Sequence, residues 1–227
     1  MQQHPLDDPI RSALTGRHSP MAITSGTAAR YPGDVAPFGS MPLSPTPADW
    51  ASLAEIATDD AVAMFVPTEF VVADGWSTHL ELGLVQLTDD DVDTSGTRGD
   101  DIVDLADADV PEMLRLTALT RPGPFLPRTI AFGGYVGVVD GGRLVAMAGR
   151  RLSMPGWVEI SAVCTDPEAR GRGLARRLIT EVARGVRADG DRAFLHVAAG
   201  NPAQGLYEAM GFVVRRTSKV VDVTPPR

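Results

Sequence analysis

The run Thr165-Asp166-Pro167-Glu168-Ala169-Arg170-Gly171-Arg172-Gly173-Leu174-Ala175 sets two glycines and two arginines between an apolar stretch and an amphipathic one. Pro167 ends the first stretch, and the chain enters a helix through the glycines. A helix entry leaves its first N–H groups unpartnered, and the helix dipole adds partial positive charge there. Glycines let such a backbone approach a diphosphate closely, and Arg170 and Arg172 add cationic donors. The chemistry fits an anionic diphosphate on the amides of Gly171 to Ala175. No Gly-Lys-Ser/Thr follows, so this is not a P-loop, and the dinucleotide glycine pattern is not matched. Cys164 stands mid-strand with no histidine near in sequence and reads as a small buried hydrophobe rather than a nucleophile. His196 reads as a packed strand histidine. His4, His18 and His79 are dispersed, so no metal-ligand spacing emerges.

The elements that must position this loop are legible on both sides. Trp157 to Thr165 alternates as a strand. From Gly173 to about Ala188 a helix carries Leu174, Leu178, Ile179, Val182 and Val186 on one stripe. Ala193 to Ala198 is a strand, Ala203 to Met210 a short helix, and Phe212 to Val223 a last strand. Upstream, Tyr135 to Val139 and Leu144 to Leu152 flank Asp140-Gly141-Gly142, a strong hairpin signal. Ile102 to Leu105 is a short strand, and Asp109-Val110-Pro111-Glu112 starts a helix with Asp109 as cap. An antiparallel meander followed by a strand–helix–strand unit predicts an α/β (α+β) domain: a three-layer arrangement with a mixed, mostly antiparallel sheet flanked by helices.

The first half is less regular. Residues 1–47 are rich in Pro, Gly, Ser and Thr and read as an irregular arm, ordered only if it packs on something. Thr46-Pro47-Ala48-Asp49 reads as a helix start with Thr46 as N-cap. Ala61 to Val66, Phe70 to Ala73 and Leu80 to Leu87 read as strands. Six aspartates between Asp89 and Asp101 read as a solvated linker, since the glycine and terminal glutamate of a calcium loop are missing. The expected division is an N-terminal arm and accessory α+β segment over 1–95, and a cofactor-binding domain over 101–227.

Over residues 101–221 the chain resembles the GNAT superfamily of N-acyltransferases. Arg170-x-x-Gly173-x-Ala175 is similar to the family's pyrophosphate loop. Glu159 to Thr165 with Asp166-Pro167, then Asn201 and Leu206-Tyr207-Glu208-Ala209-Met210-Gly211-Phe212, follow in the family's order. The resemblance implies acetyl-CoA as cosubstrate, without a metal. It implies that backbone groups of Val163, Cys164 and Thr165 bond the pantetheine arm. Arg170, Gly171, Arg172, Gly173, Leu174, Ala175 and Arg176 would bind the pyrophosphate. Asn201 would bond the cofactor near its arm, and Tyr207 would protonate the leaving thiolate. Five residues separate Asn201 from Tyr207, one fewer than in most members. A protonated amine must lose a proton before it attacks, and a nearby carboxylate or a water can take it. Glu159 is the candidate, with the strand parity of Ser161 and Val163. The alternative is a glutamate paired with Arg150 or Arg151. In the family, the loop after the first helix lines the acceptor pocket; here it is Thr120 to Thr129, with Phe125 and Arg128.

The 227 residues are 44% hydrophobic and 22% charged, with a net charge of -8. That balance disfavours nucleic acid or an anionic membrane as partner and leaves an amine of a small molecule or peptide open. The single cysteine excludes an internal disulfide and points to a reducing compartment, and no leader or membrane span is read. The sequence thus predicts a cytoplasmic N-acetyltransferase, with a second copy of the chain left open as a partner. The competing readings are a non-catalytic acyl-CoA-binding module and transfer of a longer acyl chain.

Overall fold

Among the described residues, thirteen glycines adopt positive φ, whereas only two other residues do, Arg121 and Ala162. The chain's turns are therefore set by glycine, and the two exceptions mark special positions. The structure, a computed structural model, describes residues 4–57 and 61–226. Strands β1 (Ile23–Ser25), β2 (Ala28–Arg30) and β3 (Gly39–Ser40) form a small sheet beside helix α1 (Pro9–Leu14). Helix α2 (Pro47–Ala57) leads to β4 (Val62–Val66) and the long β5 (Ser77–Thr88). Then come β6 (Ile102–Asp104), α3 (Val110–Thr120), β7 (Val136–Asp140), β8 (Arg143–Met154) and β9 (Trp157–Thr165). Helix α4 (Leu174–Ala188), β10 (Arg192–Ala198), α5 (Ala203–Glu208) and β11 (Val213–Thr224) complete the chain.

The main sheet has eight strands in the order β4-β11-β5-β10-β9-β8-β7-β6. Its one parallel pair is β9 with β10, joined through α4. The mixed, mostly antiparallel sheet flanked by helices is as expected. Helix α4 buries Leu178, Ile179, Val182 and Val186 against Val158, Ile160, Leu195 and Val197 on one face. Each such side chain contributes about 1.5–3 kcal/mol by leaving water. On the other face lie α3, over Met147 and Cys164, and the N-terminal arm, over Leu152 and Phe194.

Several expectations need correction. The arm meets its condition for order, since Leu6, Ile10, Ala13 and Tyr31 are fully buried on the sheet, but other readings change. (Residues 1–3 lie outside the described set.) The division into 1–95 and 101–227 does not separate two cores, because β5 lies between β10 and β11 in the one sheet. Asp89 is no solvated linker residue; it is 1% exposed and accepts from Arg187 and Arg192. Phe70 to Ala73 forms no strand: Phe70 turns inward against Trp50, while Val71 is 80% exposed. Asp109 is the N-cap residue of α3 but makes no side-chain cap bond. Its carboxylate accepts the Ala106 N–H at 2.8 Å, closing the 3-10 turn that precedes the helix. Thr46 does cap α2, and Asp49 returns a bond to the Thr46 N–H at 2.7 Å. The β7–β8 hairpin turns at Gly141 and Gly142, both at positive φ, as a type I′ turn requires.

Candidate functional site

Strand β9 pairs with β10 only from Trp157 to Glu159. Beyond that, β10 continues beside β5 as far as Ala198, while β9 runs to Thr165 beside β8 alone. The two strands part, and among the described residues the outer edge of β9 from Ile160 to Thr165 has no strand partner. Within this stretch Ala162 sits at φ +53°. Met147 faces Cys164 and Gly149 faces Ser161, so Ala162 and Val163 together oppose Ala148. This is a β-bulge with an alanine in the left-handed region, a costly arrangement that re-aims the strand edge.

At the end of β9 the chain makes a 3-10 turn, Pro167–Ala169, capped by Asp166. Gly171 and Gly173 then adopt φ +78° and +72°, and Gly173 caps α4 without any side-chain bond. The first amides of α4 therefore face an open cleft of about 210 Å³, which Thr165, Arg170 and Leu206 also line. A Cβ at Gly171 or Gly173 would meet nothing within 4 Å. Arg172 is held by exposed Asp140 at 2.8 Å and Arg176 by the Ala209 carbonyl at 3.3 Å. Exposed pairs of this kind are weak, so a phosphate could compete for both side chains. The Thr165 hydroxyl, at the mouth of the same cleft, is buried without a hydrogen-bond partner.

Asn201 stands just before the N-cap Pro202 of α5, and its Oδ1 accepts the Ala203 N–H at 2.9 Å. Tyr207 is buried beside Phe212, ring centroids 6.1 Å apart. Burial pushes its phenol up to about 12, so it keeps its proton at any working pH. Cys164 is buried, and its thiol is pushed up to about 11 by that burial, against smaller opposing hydrogen bonds. A thiol held this way is no nucleophile at neutral pH.

Glu159 lies where the strands part, on the face opposite α4, and it is fully buried. Arg151 grips both carboxylate oxygens at 2.7 Å, and His196 Nδ1 lies 2.7 Å from one of them. Burial alone would raise the Glu159 pKa; the Arg151 charge and these bonds outweigh it and hold the carboxyl at about 2. Gln86 settles the histidine's tautomer. Its Oε1 accepts from Arg215 at 2.9 Å, so its Nε2 faces the Leu6 carbonyl and His196 Nε2. That imidazole nitrogen is then the acceptor, and Nδ1–H donates to Glu159. Arg151 also stacks over Phe38 of the arm, 4.8 Å from the ring centre. Of the two readings of Glu159, a base or a glutamate paired with an arginine, the geometry favours the second: its oxygens are committed to Arg151 and His196, and the arm covers it.

The remaining sequence candidates separate by location. The 120–129 segment docks on the arm through Arg128 with Asp34 and the Thr129 hydroxyl with the Val35 carbonyl. Phe125 packs edge-on to Tyr135 at 5.6 Å. Sequence reasoning offered the Glu159–Arg151 pairing as an alternative, but missed Tyr135, the bulge at Ala162 and the place of His196 in the cluster. Strand parity could have hinted at the cluster; nothing in an Ala-Val-Cys run signals a bulge.

Residues 135–221 match the family of FR47-like proteins. A crystal structure of a protein assigned to the GNAT family of acetyltransferases, from Novosphingobium aromaticivorans, superposes with a TM-score of 0.91 at 35% identity. It covers 99% of this chain and 100% of its own. The chain belongs to the GNAT family. A GNAT-family N-acetyltransferase of Kribbella flavida shares the fold at TM-score 0.60 and 16% identity, with 96% of each chain covered. The N-alpha-acetyltransferase RimI of Mycobacterium tuberculosis is 39% identical over 82 residues, 34% of this chain. The chain spans about half the length, 51%, of that curated relative. Among the described residues no helix is long and apolar enough to cross a membrane.

Proposed function

We propose that this GNAT protein moves an acetyl group from acetyl-CoA to the amine of a small molecule or peptide, within a ternary complex. The observation that carries the reading is the uncapped entry of α4, whose amides open on a cleft at the end of an unpartnered strand edge. The site fits coenzyme A chemically. Bare amides and Arg170, Arg172 and Arg176 suit the diphosphate. The free edge of β9 at Val163 to Thr165 suits an amide-bearing arm, and the orphaned Thr165 hydroxyl lacks a partner. Bound acetyl-CoA would supply an acyl group on a readily leaving thiol.

The chain's own groups then have distinct tasks. Tyr207 holds its proton at Oη and can deliver it to a departing thiolate. Asn201 orders the entry to α5 and so fixes Tyr207. Glu159 anchors His196 and Arg151 where the strands part, and the acceptor amine gives up its proton through water. The single free cysteine and the cosubstrate suit the cytoplasm.

The test has two arms. Thiol release from acetyl-CoA over a panel of amines and peptide amines should identify a turnover substrate. Ala175→Glu keeps the helical backbone but sets a carboxylate in the anion site. It should weaken acetyl-CoA binding by roughly 100-fold in calorimetry, and unchanged affinity would defeat the loop assignment. The commitment of Glu159 to Arg151 favours one second reading, an acyl-CoA-binding module without turnover. Trapped coenzyme and no thiol release over the panel would establish it.

A further inference from the structure

Among the described residues, three buried side-chain atoms lack a hydrogen bond: the hydroxyls of Tyr135 and Thr165, and one carboxylate oxygen of Asp222. Thr165 belongs to the cosubstrate cleft. Tyr135 lies on the opposite face of the sheet and is 2% exposed. A lone buried hydroxyl costs stability, and a fold keeps one where its partner arrives from outside.

The position of this hydroxyl is informative. Tyr135 continues the Val136–Ala148 register, and its ring lies flat on Gly149; a Cβ there would come within 2.2 Å of the ring. Gly149 in turn pairs with Ser161 of β9. A tyrosine reaches farther than one strand spacing of about 4.8 Å, so the ring carries its oxygen toward the stretch of β9 that has parted from β10. Both Arg151 and Glu159 act electrostatically on the phenol. Phe125 covers the ring edge-on, from a segment without regular structure that follows α3.

The other polar groups nearby are committed to one another. Arg151 neutralises Glu159, His196 bridges Glu159 and Gln86, and Gln86 is held by Arg215 and the Leu6 carbonyl. Among the described residues, the floor below the parted strands thus offers an incoming molecule neutral hydroxyls, the buried one of Tyr135 and the partly exposed one of Ser161, and these charged groups are compensated. We infer that Tyr135 is an acceptor-binding residue, its hydroxyl donating to a neutral oxygen close to the reacting amine. The acceptor class is then an amine beside a carbonyl or hydroxyl, such as an α-amino amide, rather than a polyamine. This rests on the acetyl-transfer reading and names its acceptor.

The probes are L-alanyl-L-alanine amide and n-butylamine, titrated by calorimetry into the protein with coenzyme A bound. The wild type should bind the dipeptide amide about tenfold more tightly. Tyr135→Phe should abolish that preference, leave n-butylamine and coenzyme A affinities unchanged, and not lower the melting temperature. In turnover with acetyl-CoA, KM for the dipeptide amide should rise about tenfold at nearly constant kcat. Equal affinity of the wild type for both amines overturns the inference. So does a preference that survives in Tyr135→Phe, which would mean that the hydroxyl meets only a trapped water. A preference without thiol release supports the acceptor assignment and defeats acetyl transfer alone.

Discussion

Tyr207 and Glu159 show how environment assigns roles to two groups that sequence alone presents as a matched acid and base. Burial keeps the phenol of Tyr207 protonated, and Tyr207→Phe should lower kcat by roughly 100-fold while coenzyme A affinity in calorimetry stays the same. Glu159 is a buried partner to Arg151. Glu159→Gln would strand that guanidinium, and denaturant unfolding should show a loss of about 3–5 kcal/mol. Were Glu159 the base, the same variant would lose turnover with stability intact. The pH dependence has a definite sign. The folded pKa of about 2 lies below the usual 4.5, so this contribution is complete above about 4.5 and disappears as pH falls toward 2. The glutamate itself was legible in the sequence. Its pairing with Arg151 was legible as one of two alternatives; what decides between them was not, because His196 and the covering arm lie far away in the chain.

At the scale of elements, the local signals read well and the long-range ones did not. Helix α4, the glycine turn at Gly141-Gly142 and the Thr46 cap depend on neighbours in sequence, and their residues announce them. The bulge at Ala162 depends on how β8 and β9 pair, and alanine gives no sign of it. Ala162→Val, with a branched side chain in the left-handed region, should destabilise by about 2 kcal/mol in thermal unfolding. Ala162→Gly should not destabilise beyond the methyl group it loses, about 0.8 kcal/mol. The arm offers a second test through Asp8, which caps α1 and accepts from Ser40. Burial raises its pKa to about 6 against 3.8 in the open chain, and its hydrogen bonds only partly oppose this. The folded state then binds the extra proton, so stability declines as pH rises from about 3.8 to about 6. Asp8→Asn should be more stable than wild type at pH 7 by about 1–3 kcal/mol, with the difference gone below pH 4.

For the whole molecule, the sequence correctly set the fold class through its order of elements. It divided the chain wrongly, because an acidic, exposed stretch such as 93–100 looks the same whether it joins two bodies or two strands of one sheet. Limited proteolysis within 93–100 should therefore give fragments that co-elute in native size-exclusion chromatography; their separation would restore the two-body view. The placement of β5 also bears on how the chain acquires its shape. Gln86 must wait for His196, 110 residues downstream, and for Arg215 beyond that. A strand that leaves the ribosome about a hundred residues before either neighbour spends that interval uncovered. Its Leu84, Val85 and Leu87 are then free to meet other nascent chains. The centre of the sheet is thus its last part to close, and refolding should be slow and dependent on protein concentration.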